Sequence, residues 1–509
     1  MNNFLKTIVL VPIFGLLLAS GTNSLAQPKQ DPKAGNSPQV STKADSMVVV
    51  TSHTINIAGK QISYKAKAGY MLLKEEYGKP KAKVFYIAYT LDGVADPAKR
   101  PITYCFNGGP GSSSVWLHMG TIGPRRILMK DDGTPTAVPY QLVDNEYSWL
   151  DATDLVFIDP VSTGYSQPVE GVNKGDFHGY NEDITSVGDF IRQHCSNNLR
   201  WASPKYLAGE SYGTTRAAGL SGYLQDRYGM YLNGIVLVSA VLNFQTLSFE
   251  PGNELPYQLF LPTYAATAWY HKKLGTQFSD LPSLLPQVQQ FAMGDYATYL
   301  LKGDNATEQE HASIAAKLAT YTGLSTQYLR QTNNRIKIFR FTKELLRTSG
   351  QTIGRFDSRI KASDVDNAGE TYEFDPSFNY ATFGPYAQAI NDYLGRELKF
   401  KSDLPYELLT GKVQPWNYNN VQNRYLNVSE TLRSALVKNP SLKVYVGNGY
   451  YDLATPYFAT EYTFSHIFLP PAQRNNIKFG YYQGGHMMYT VRDELIKLKK
   501  DIGAWYQGQ

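Results

Sequence analysis

Polar and apolar residues alternate near the start of this chain. Residues 54–57 and 61–64 follow a period of two, and 84–89 form a third apolar run. This period is typical of β-strands with one face buried. Turns that contain glycine separate the runs. The pattern therefore predicts antiparallel strands between residues 51 and 93.

A different pattern follows, in which short apolar runs end at glycine, proline or polar residues. Such runs are typical of strands buried on both faces of a mostly parallel sheet. The predicted strands are 102–106, 155–158, 206–208, 235–238, 444–446 and 477–481. Helix-compatible stretches lie between them, for example at 180–192 and 216–227. This order of elements predicts an α/β fold with a mostly parallel central sheet.

The long stretch from residue 248 to residue 425 interrupts that order. Helix-like segments at 284–293, 308–321 and 335–346 are separated by polar loops. We interpret this stretch as a large, mainly helical insertion that caps the sheet. The predicted core then has two parts, residues 51–247 and residues 426–509.

The first 26 residues have the pattern of a signal peptide. Lys6 provides a positive charge, residues 8–18 are almost continuously apolar, and residues 24–26 fit a cleavage site of small residues. The apolar run is short for a membrane span, although an uncleaved anchor is the alternative. We expect an exported protein, periplasmic or secreted, without stable membrane association after cleavage. Residues 27–50 are polar and predict a flexible leader.

Composition and charge narrow the classes of function. The 509 residues include 49 Lys and Arg and 44 Asp and Glu, giving a net charge of +5 without a block of like charge. Nothing therefore indicates nucleic-acid binding. The two cysteines, Cys105 and Cys195, have no metal-ligand spacing. Cys105 lies in an apolar run where a buried free thiol is expected, and the sequence leaves open whether the two cysteines pair.

One segment has the spacing of a serine nucleophile. Gly209-Glu210-Ser211-Tyr212-Gly213 fits the G-x-S-x-G motif, which places the serine on a sharp turn between a strand and a helix. A predicted strand precedes this segment and helix-compatible sequence follows it. Because the chain has 42 glycines, a structural turn that matches by chance is the competing interpretation.

A nucleophilic serine needs a base, and the base needs an orienting carboxylate. In α/β-hydrolases the acid and then the histidine follow the serine along the chain. Asp452 and His486 occur in this order, each just after a predicted strand, where open α/β sheets place their active sites. His466 lies in an aromatic, helix-like run and is expected to be a packing residue. We therefore predict a triad of Ser211, Asp452 and His486 on an α/β-hydrolase fold.

A glycine-rich segment, residues 107–111, directly follows the predicted strand 102–106. An α/β-hydrolase takes one oxyanion-hole N–H from such a loop and another from the residue after the nucleophile. Gly109 and Tyr212 are the predicted backbone donors. A phosphate loop and a structural turn are competing interpretations, but no Gly-Lys-Ser/Thr follows to support the phosphate loop.

Four regions together resemble the serine carboxypeptidase family, peptidase family S10, and suggest an exported bacterial-type member. They are residues 107–111, residues 158–166, the motif around Ser211 with its adjoining Glu210, and the pair of segments 449–452 and 485–487. The resemblance extends over about residues 84–491. It implies hydrolysis of peptides from a free C-terminus, with Asn107 and Glu210 binding the terminal carboxylate.

The resemblance also implies a proton on Glu210. Two ionised carboxylates in close contact repel each other, so Glu210 must be protonated to donate a hydrogen bond to a substrate carboxylate. An enzyme of this kind is expected to work best in acid.

Three positions depart from the family pattern. Ser112 and Thr455 stand where cysteines are common, and Thr121 stands where a second glutamate usually helps to bind the carboxylate. Thr121 can still donate a hydrogen bond, and Arg125 or Arg126 could assist it.

Three functions remain open. The first is a serine-type carboxypeptidase that works through an acyl-enzyme on Ser211. The second is an esterase or acyltransferase with the same triad, because fold and triad do not fix the substrate. The third is an exported binding protein on an inactive hydrolase scaffold. No metal or organic cofactor is implied, since the nucleophile, the base and the oxyanion donors are all protein groups.

Overall fold

A computed structural model describes residues 48–75 and 77–508. The predicted signal peptide and most of the predicted leader lie outside the described residues. The first strand begins at Val48, two residues before the predicted end of the leader at residue 50. Val48, Val49 and Val50 are β-branched and pair with residues 67–69 of the next strand, which explains the earlier start.

Fourteen strands are present in the described part of the chain. They are β1 (Val48–Ile57), β2 (Lys60–Lys74), β3 (Pro80–Leu91), β4 (Ile102–Phe106), β5 (Arg125–Ile127), β6 (Leu142–Asp144), β7 (Asp154–Ile158), β8 (Gln167–Pro168), β9 (Lys205–Ser211), β10 (Gly234–Ala240), β11 (Gln351–Ile353), β12 (Lys361–Ser363), β13 (Lys443–Gly449) and β14 (Ile477–Tyr482).

The α-helices of the same residues number fifteen. They are α1 (Val115–Leu117), α2 (Tyr180–Asn197), α3 (Tyr212–Tyr228), α4 (Leu255–Leu259), α5 (Leu261–Tyr270), α6 (Leu281–Phe291), α7 (Ala297–Lys302), α8 (Glu308–Thr322), α9 (Thr326–Gln331), α10 (Ile338–Glu344), α11 (Gly384–Arg396), α12 (Ser429–Lys438), α13 (Tyr457–Ser465), α14 (Pro471–Arg474) and α15 (Arg492–Tyr506). None of these helices is long and apolar enough to cross a membrane.

One large sheet has the strand order β1-β2-β3-β7-β4-β9-β10-β13-β14, and β8 pairs with β3 at its side. The strands from β1 to β3 are antiparallel, as is the β3–β7 pair. The pairs from β7 through β4, β9, β10 and β13 to β14 are parallel. All six predicted parallel strands and the predicted antiparallel strands are therefore confirmed.

Helices cover both faces of this sheet. Alternate residues of β4 enter two different cores, Tyr104 on one face and Cys105 on the other. Helices α2, α3 and α12 contribute to the first core, whereas α11 and α15 contribute to the second. Both cysteines are buried and free, so the expected buried thiol at Cys105 is confirmed and the two do not pair.

The chain between β10 and β13 is mainly helical. Helices α5, α6, α8 and α10 share a third core, which also takes in Tyr451 and Leu453 from the loop after β13. The ribbons β5–β6 and β11–β12 were not predicted. Their strands have three residues each, which is too short to show a hydrophobic period.

Candidate active site

Ser211 occupies the turn between strand and helix that its motif predicts. It is the last residue of β9, and α3 begins at Tyr212. Its backbone has φ 59° and ψ −130°, a conformation that non-glycine residues rarely adopt and that functional sites often hold. A Cβ atom on Gly209 would lie 2.2 Å from the carbonyl oxygen of Gly213. The glycines of the motif thus permit the tight crossing of strand and helix.

Asp452 and His486 form a buried pair. The Nδ1 atom of His486 lies 2.8 Å from Oδ2 of Asp452. The backbone N–H groups of Ala454 and Thr455 donate to Oδ1 at 2.7 and 3.0 Å, and the Thr455 hydroxyl donates to Oδ2 at 2.7 Å. Burial of the imidazole lowers the pKa of His486, but the charge and hydrogen bond of Asp452 outweigh it, so this pKa is raised.

Backbone contacts fix the loop that carries His486. Its N–H donates to the carbonyl of Phe356 at 2.6 Å, and its carbonyl accepts a hydrogen bond from the Ser239 hydroxyl at 2.7 Å. The ring of Phe356 lies 5.1 Å from the imidazole, centroid to centroid. Phe356 belongs to the insertion, so sequence reasoning about the sheet loops did not find it.

A cavity of about 230 Å³ brings the predicted groups together. Its wall includes the predicted residues Asn107, Gly109, Glu210, Ser211 and His486. Asp452 does not line the cavity itself. It binds Nδ1 of His486, and the imidazole ring of His486 lies between Asp452 and the cavity. The structure therefore brings every predicted side chain of the triad and of the carboxylate site into one place.

The glycine-rich loop lies directly against the start of α3. A Cβ atom on Gly108 would be 2.4 Å from the backbone nitrogen of Tyr212, so only glycine allows this approach. Tyr212 is the first residue of α3, and the first N–H groups of a helix have no partner within it. The predicted oxyanion-hole donors are the N–H groups of Gly109 and Tyr212. They therefore belong to two backbone segments that lie in contact, the glycine-rich loop and the start of α3.

Glu210 is buried, with 2% of its surface exposed. The amide of Asn107 donates to its Oε1 at 2.9 Å, and the hydroxyl of Tyr489 donates to its Oε2 at 2.6 Å. Burial raises the pKa of Glu210 to about 7, against the opposing effects of His486, Tyr489 and Asn107. Glu210 can therefore hold a proton near neutral pH, as the family resemblance implies. Sequence reasoning missed Tyr489, which comes three residues after His486 in a 3₁₀ turn.

The positions that depart from the family pattern have other contacts. Thr121 is buried outside the lining of this cavity, and its hydroxyl has no hydrogen-bond partner among the described residues. Arg125 is paired with Glu397 at 2.8 Å and Arg126 with Glu146 at 3.2 Å. Neither arginine lines the cavity, so the expectation that one of them assists at the site is not supported.

Ser112 and Thr455, at the two positions where cysteines are common, both form side-chain hydrogen bonds. The Ser112 hydroxyl accepts a hydrogen bond from the indole N–H of Trp116 at 2.8 Å, at the cavity wall. Thr455 supports Asp452 directly. His466, expected to be a packing residue, is exposed at the end of α13 and stacks on Tyr462.

Two further features of the lining involve residues of the insertion, together with Trp116 of α1. Phe356, Phe378 and Trp116 form an aromatic wall, and Arg355 adds a positive charge. No group of three or more His, Cys, Asp or Glu side chains within 48–75 and 77–508 is arranged to hold a metal ion.

The sheet, its helical layers and the serine on a sharp turn between strand and helix define the α/β-hydrolase fold. Residues 57–494 match the family model described as serine carboxypeptidase, Peptidase S10. The chain therefore belongs to the serine carboxypeptidase family, and the resemblance seen in its motifs is confirmed.

Relatives with curated descriptions share limited identity with this chain. Serine carboxypeptidase-like 34 of Arabidopsis thaliana is 26% identical over 204 residues, which is 36% of either chain. Serine carboxypeptidase 1 of Hordeum vulgare is 29% identical over 31% of this chain and 30% of its own. P-(S)-hydroxymandelonitrile lyase of Sorghum bicolor is 27% identical over 30% and 27%. The matched regions thus span about a third of these relatives.

A solved structure shares the fold. The prohormone-processing carboxypeptidase Kex1 of Saccharomyces cerevisiae superposes with a TM-score of 0.56 at 15% identity. The superposition covers 87% of this chain and 91% of the yeast chain. At this identity the match establishes the α/β-hydrolase fold.

Proposed function

We propose that this protein is a serine-type carboxypeptidase that removes residues from the free C-terminus of peptides. The observation that carries the proposal is Glu210, a buried carboxyl with a raised pKa on the same cavity wall as Ser211 and His486. A protonated carboxyl beside a nucleophile suits a substrate that presents a carboxylate close to the bond to be cut.

The triad performs the chemistry. The Ser211 hydroxyl attacks the scissile carbonyl carbon while Nε2 of His486 accepts its proton. Asp452, bound to Nδ1 at 2.8 Å, holds the ring in the required tautomer and stabilises the imidazolium. The N–H groups of Gly109 and Tyr212 bind the oxyanion. His486 then passes the proton to the leaving amine, and water hydrolyses the acyl-enzyme by the reverse sequence.

Asn107 and Glu210 bind the terminal carboxylate in this proposal. Protonated Glu210 has one O–H to donate, and the Asn107 amide, already bound to Oε1 of Glu210, has a second N–H to offer. The two residues therefore act without a second glutamate at position 121. Tyr489 holds Glu210 in position through the hydrogen bond that its hydroxyl donates to Oε2 of Glu210.

Product analysis tests the proposal. Incubation with an unblocked peptide should release single residues from its C-terminus in succession, seen by mass spectrometry as a ladder. Ser211→Ala should release none, and a fluorophosphonate should label the wild-type protein but not this variant. A wild-type protein that labels but only cleaves esters would favour the esterase or acyltransferase. Failure to label would favour the binding protein on an inactive scaffold.

We also propose export to the periplasm or outside the cell, and a cap formed by residues 248–425. Export rests on the charged, apolar and small-residue pattern of the first 26 residues. Mass spectrometry of the protein recovered from its host would test it, with Gln27 expected as the first residue.

A further inference from the structure

Arg355 contributes a lasting positive charge to the cavity of Ser211. It comes two residues after β11, in the insertion, and lines the wall together with Glu210, Ser211 and His486. Glu210, with a pKa of about 7, gains or loses a charge near neutral pH, whereas a guanidinium stays charged. Within the described part of the chain, Arg355 is the single Arg or Lys of this lining.

The guanidinium of Arg355 forms no ion pair with another described residue, although the backbone N–H of this residue binds the Asp375 carboxylate. None of the ion pairs formed within 48–75 and 77–508 includes it, and its guanidinium instead lies 5.2 Å from the centroid of the Phe356 ring. Arg359, four residues further on, is bound by Asp357 at 2.9 Å. A partly buried guanidinium that no carboxylate binds directly is stabilised further when a ligand supplies a carboxylate.

The backbone holds Arg355 in place beside the triad. Its N–H donates to the Asp375 carboxylate at 3.1 Å, and its carbonyl accepts a hydrogen bond from the N–H of Leu453, the neighbour of Asp452, at 3.0 Å. Burial and the Arg355 charge both oppose protonation of His486, although Asp452 raises the pKa of His486 overall. The guanidinium therefore lies close enough to His486, in the lining of the same cavity, to influence its protonation.

We propose that Arg355 binds the acidic side chain of a substrate residue next to the scissile bond, so that the protein prefers peptides with Asp or Glu there. This inference rests on the proposed carboxypeptidase function, in which Asn107 and Glu210 take the terminal carboxylate. Such a peptide brings a second carboxylate into the cavity. A guanidinium binds a carboxylate through two parallel hydrogen bonds, which glutamine cannot match because it has no charge.

Matched peptides test the preference. The substrates are blocked free-acid peptides ending in Ala-Glu or Ala-Gln, and in Glu-Ala or Gln-Ala, assayed at pH 6. We expect kcat/KM to favour Glu over Gln by about tenfold in at least one pair. Arg355→Gln should bring that ratio close to one, and Arg355→Lys should leave an intermediate ratio. Lys361→Gln is the control, since Lys361 is exposed and lies outside this cavity.

Fluorophosphonate labelling of Arg355→Gln would show that this variant keeps an intact triad, and the Glu-to-Gln ratio is compared within each variant, so that any change in the base affects both substrates alike. The inference is wrong if the wild-type protein treats Glu and Gln alike in both pairs, or if Arg355→Gln keeps the wild-type ratio. It is also wrong if this variant changes only the preference for free acids over amides, because Arg355 would then bind the terminal carboxylate. Failure of the proposed function is a separate result, in which the wild-type protein releases no C-terminal residue from any of these peptides.

Discussion

Glu210 is buried, with 2% of its surface exposed, and in the proposed function it binds the carboxylate of the substrate. Its pKa of about 7 means that it binds a proton in acid and loses it as the pH rises through neutrality. Asn107, Tyr489, His486, Asp452 and Tyr386 are the polar groups around it. The protonated form attracts a substrate carboxylate and the ionised form repels it.

This titration predicts a pH-dependent KM. For free-acid peptides, KM should be constant below pH 7 and rise about tenfold per pH unit above it, as expected when one proton is required. Glu210→Gln keeps a neutral hydrogen-bonding group and should remove most of that rise. Peptide amides serve as the control, and a KM for free acids that stays level up to pH 9 would contradict the role of Glu210.

The hydroxyl of Thr455 supports Asp452, so its removal should slow catalysis. Thr455→Val removes the hydroxyl that donates to Asp452 and leaves a buried carboxylate oxygen with one donor fewer. We expect kcat to fall about tenfold, as for other losses of a hydrogen bond to a charged group, and Thr455→Ser to restore most of it. Thr460→Val is the matched control, because its hydroxyl donates to the Ala240 carbonyl instead. Equal losses in the two valine variants would point to packing alone.

The sequence shows the residues of the proposed triad more clearly than the residues that support them. Ser211, Asp452 and His486 stand out because each follows a strand in a required order. Tyr489, Phe356 and Arg355 have no such marker, since their contacts arise only when the insertion and the C-terminal loop fold against the sheet. A motif describes residues that are close in the sequence, whereas these contacts join residues that are distant in the sequence.

At the scale of elements, the site depends on a close approach of the β4 loop to the start of α3. Gly108→Ala places a methyl group 2.4 Å from the Tyr212 nitrogen, against backbone that cannot move aside. We expect kcat/KM to fall about 100-fold, the usual result of losing an oxyanion-hole donor. Stopped assays with an ester substrate would measure this loss.

Gly503→Ala is the control for this substitution. A Cβ atom there meets open space inside α15, and alanine should stabilise the helix by up to about 1 kcal/mol. Wild-type activity in Gly108→Ala would mean that the loop does not form part of the oxyanion hole.

The parallel strands of the sheet can be predicted from the hydrophobic pattern, because a strand that is buried on both faces contains few polar residues. Residues 102–106 match β4 at both ends. The ribbon β11–β12 shows the limit of such patterns, because its strands are too short to predict. Residues 354–358 lie between its two strands and contact the loops of Asp452 and His486. Its position depends on those tertiary contacts.

For the whole molecule, residues of the insertion contact the loops of Asp452 and His486. The Asp357 carboxylate accepts a hydrogen bond from the Gly485 N–H at 3.2 Å and pairs with Arg359. The N–H of Ser358 donates to the Tyr451 carbonyl at 3.0 Å. The insertion therefore helps to fix the two loops that carry Asp452 and His486.

Removal of this link should cost both stability and activity. Asp357→Ala leaves Arg359 unpaired in a largely buried site, and we expect the free energy of unfolding to fall by about 3 kcal/mol. The kcat should fall as well, because the loop of His486 loosens. Chemical denaturation and steady-state assays measure the two effects. Asp392→Ala breaks an exposed pair with Arg396 and should change stability by less than about 0.5 kcal/mol.

The most direct test of the account compares one peptide as its free acid and as its C-terminal amide at pH 5.5. If Asn107 and Glu210 bind the terminal carboxylate beside Ser211, kcat/KM for the acid should exceed that for the amide by about 100-fold or more, as sites built to bind a specific polar group achieve. Equal values for the two peptides would contradict the account, even if Ser211 proved to be the nucleophile.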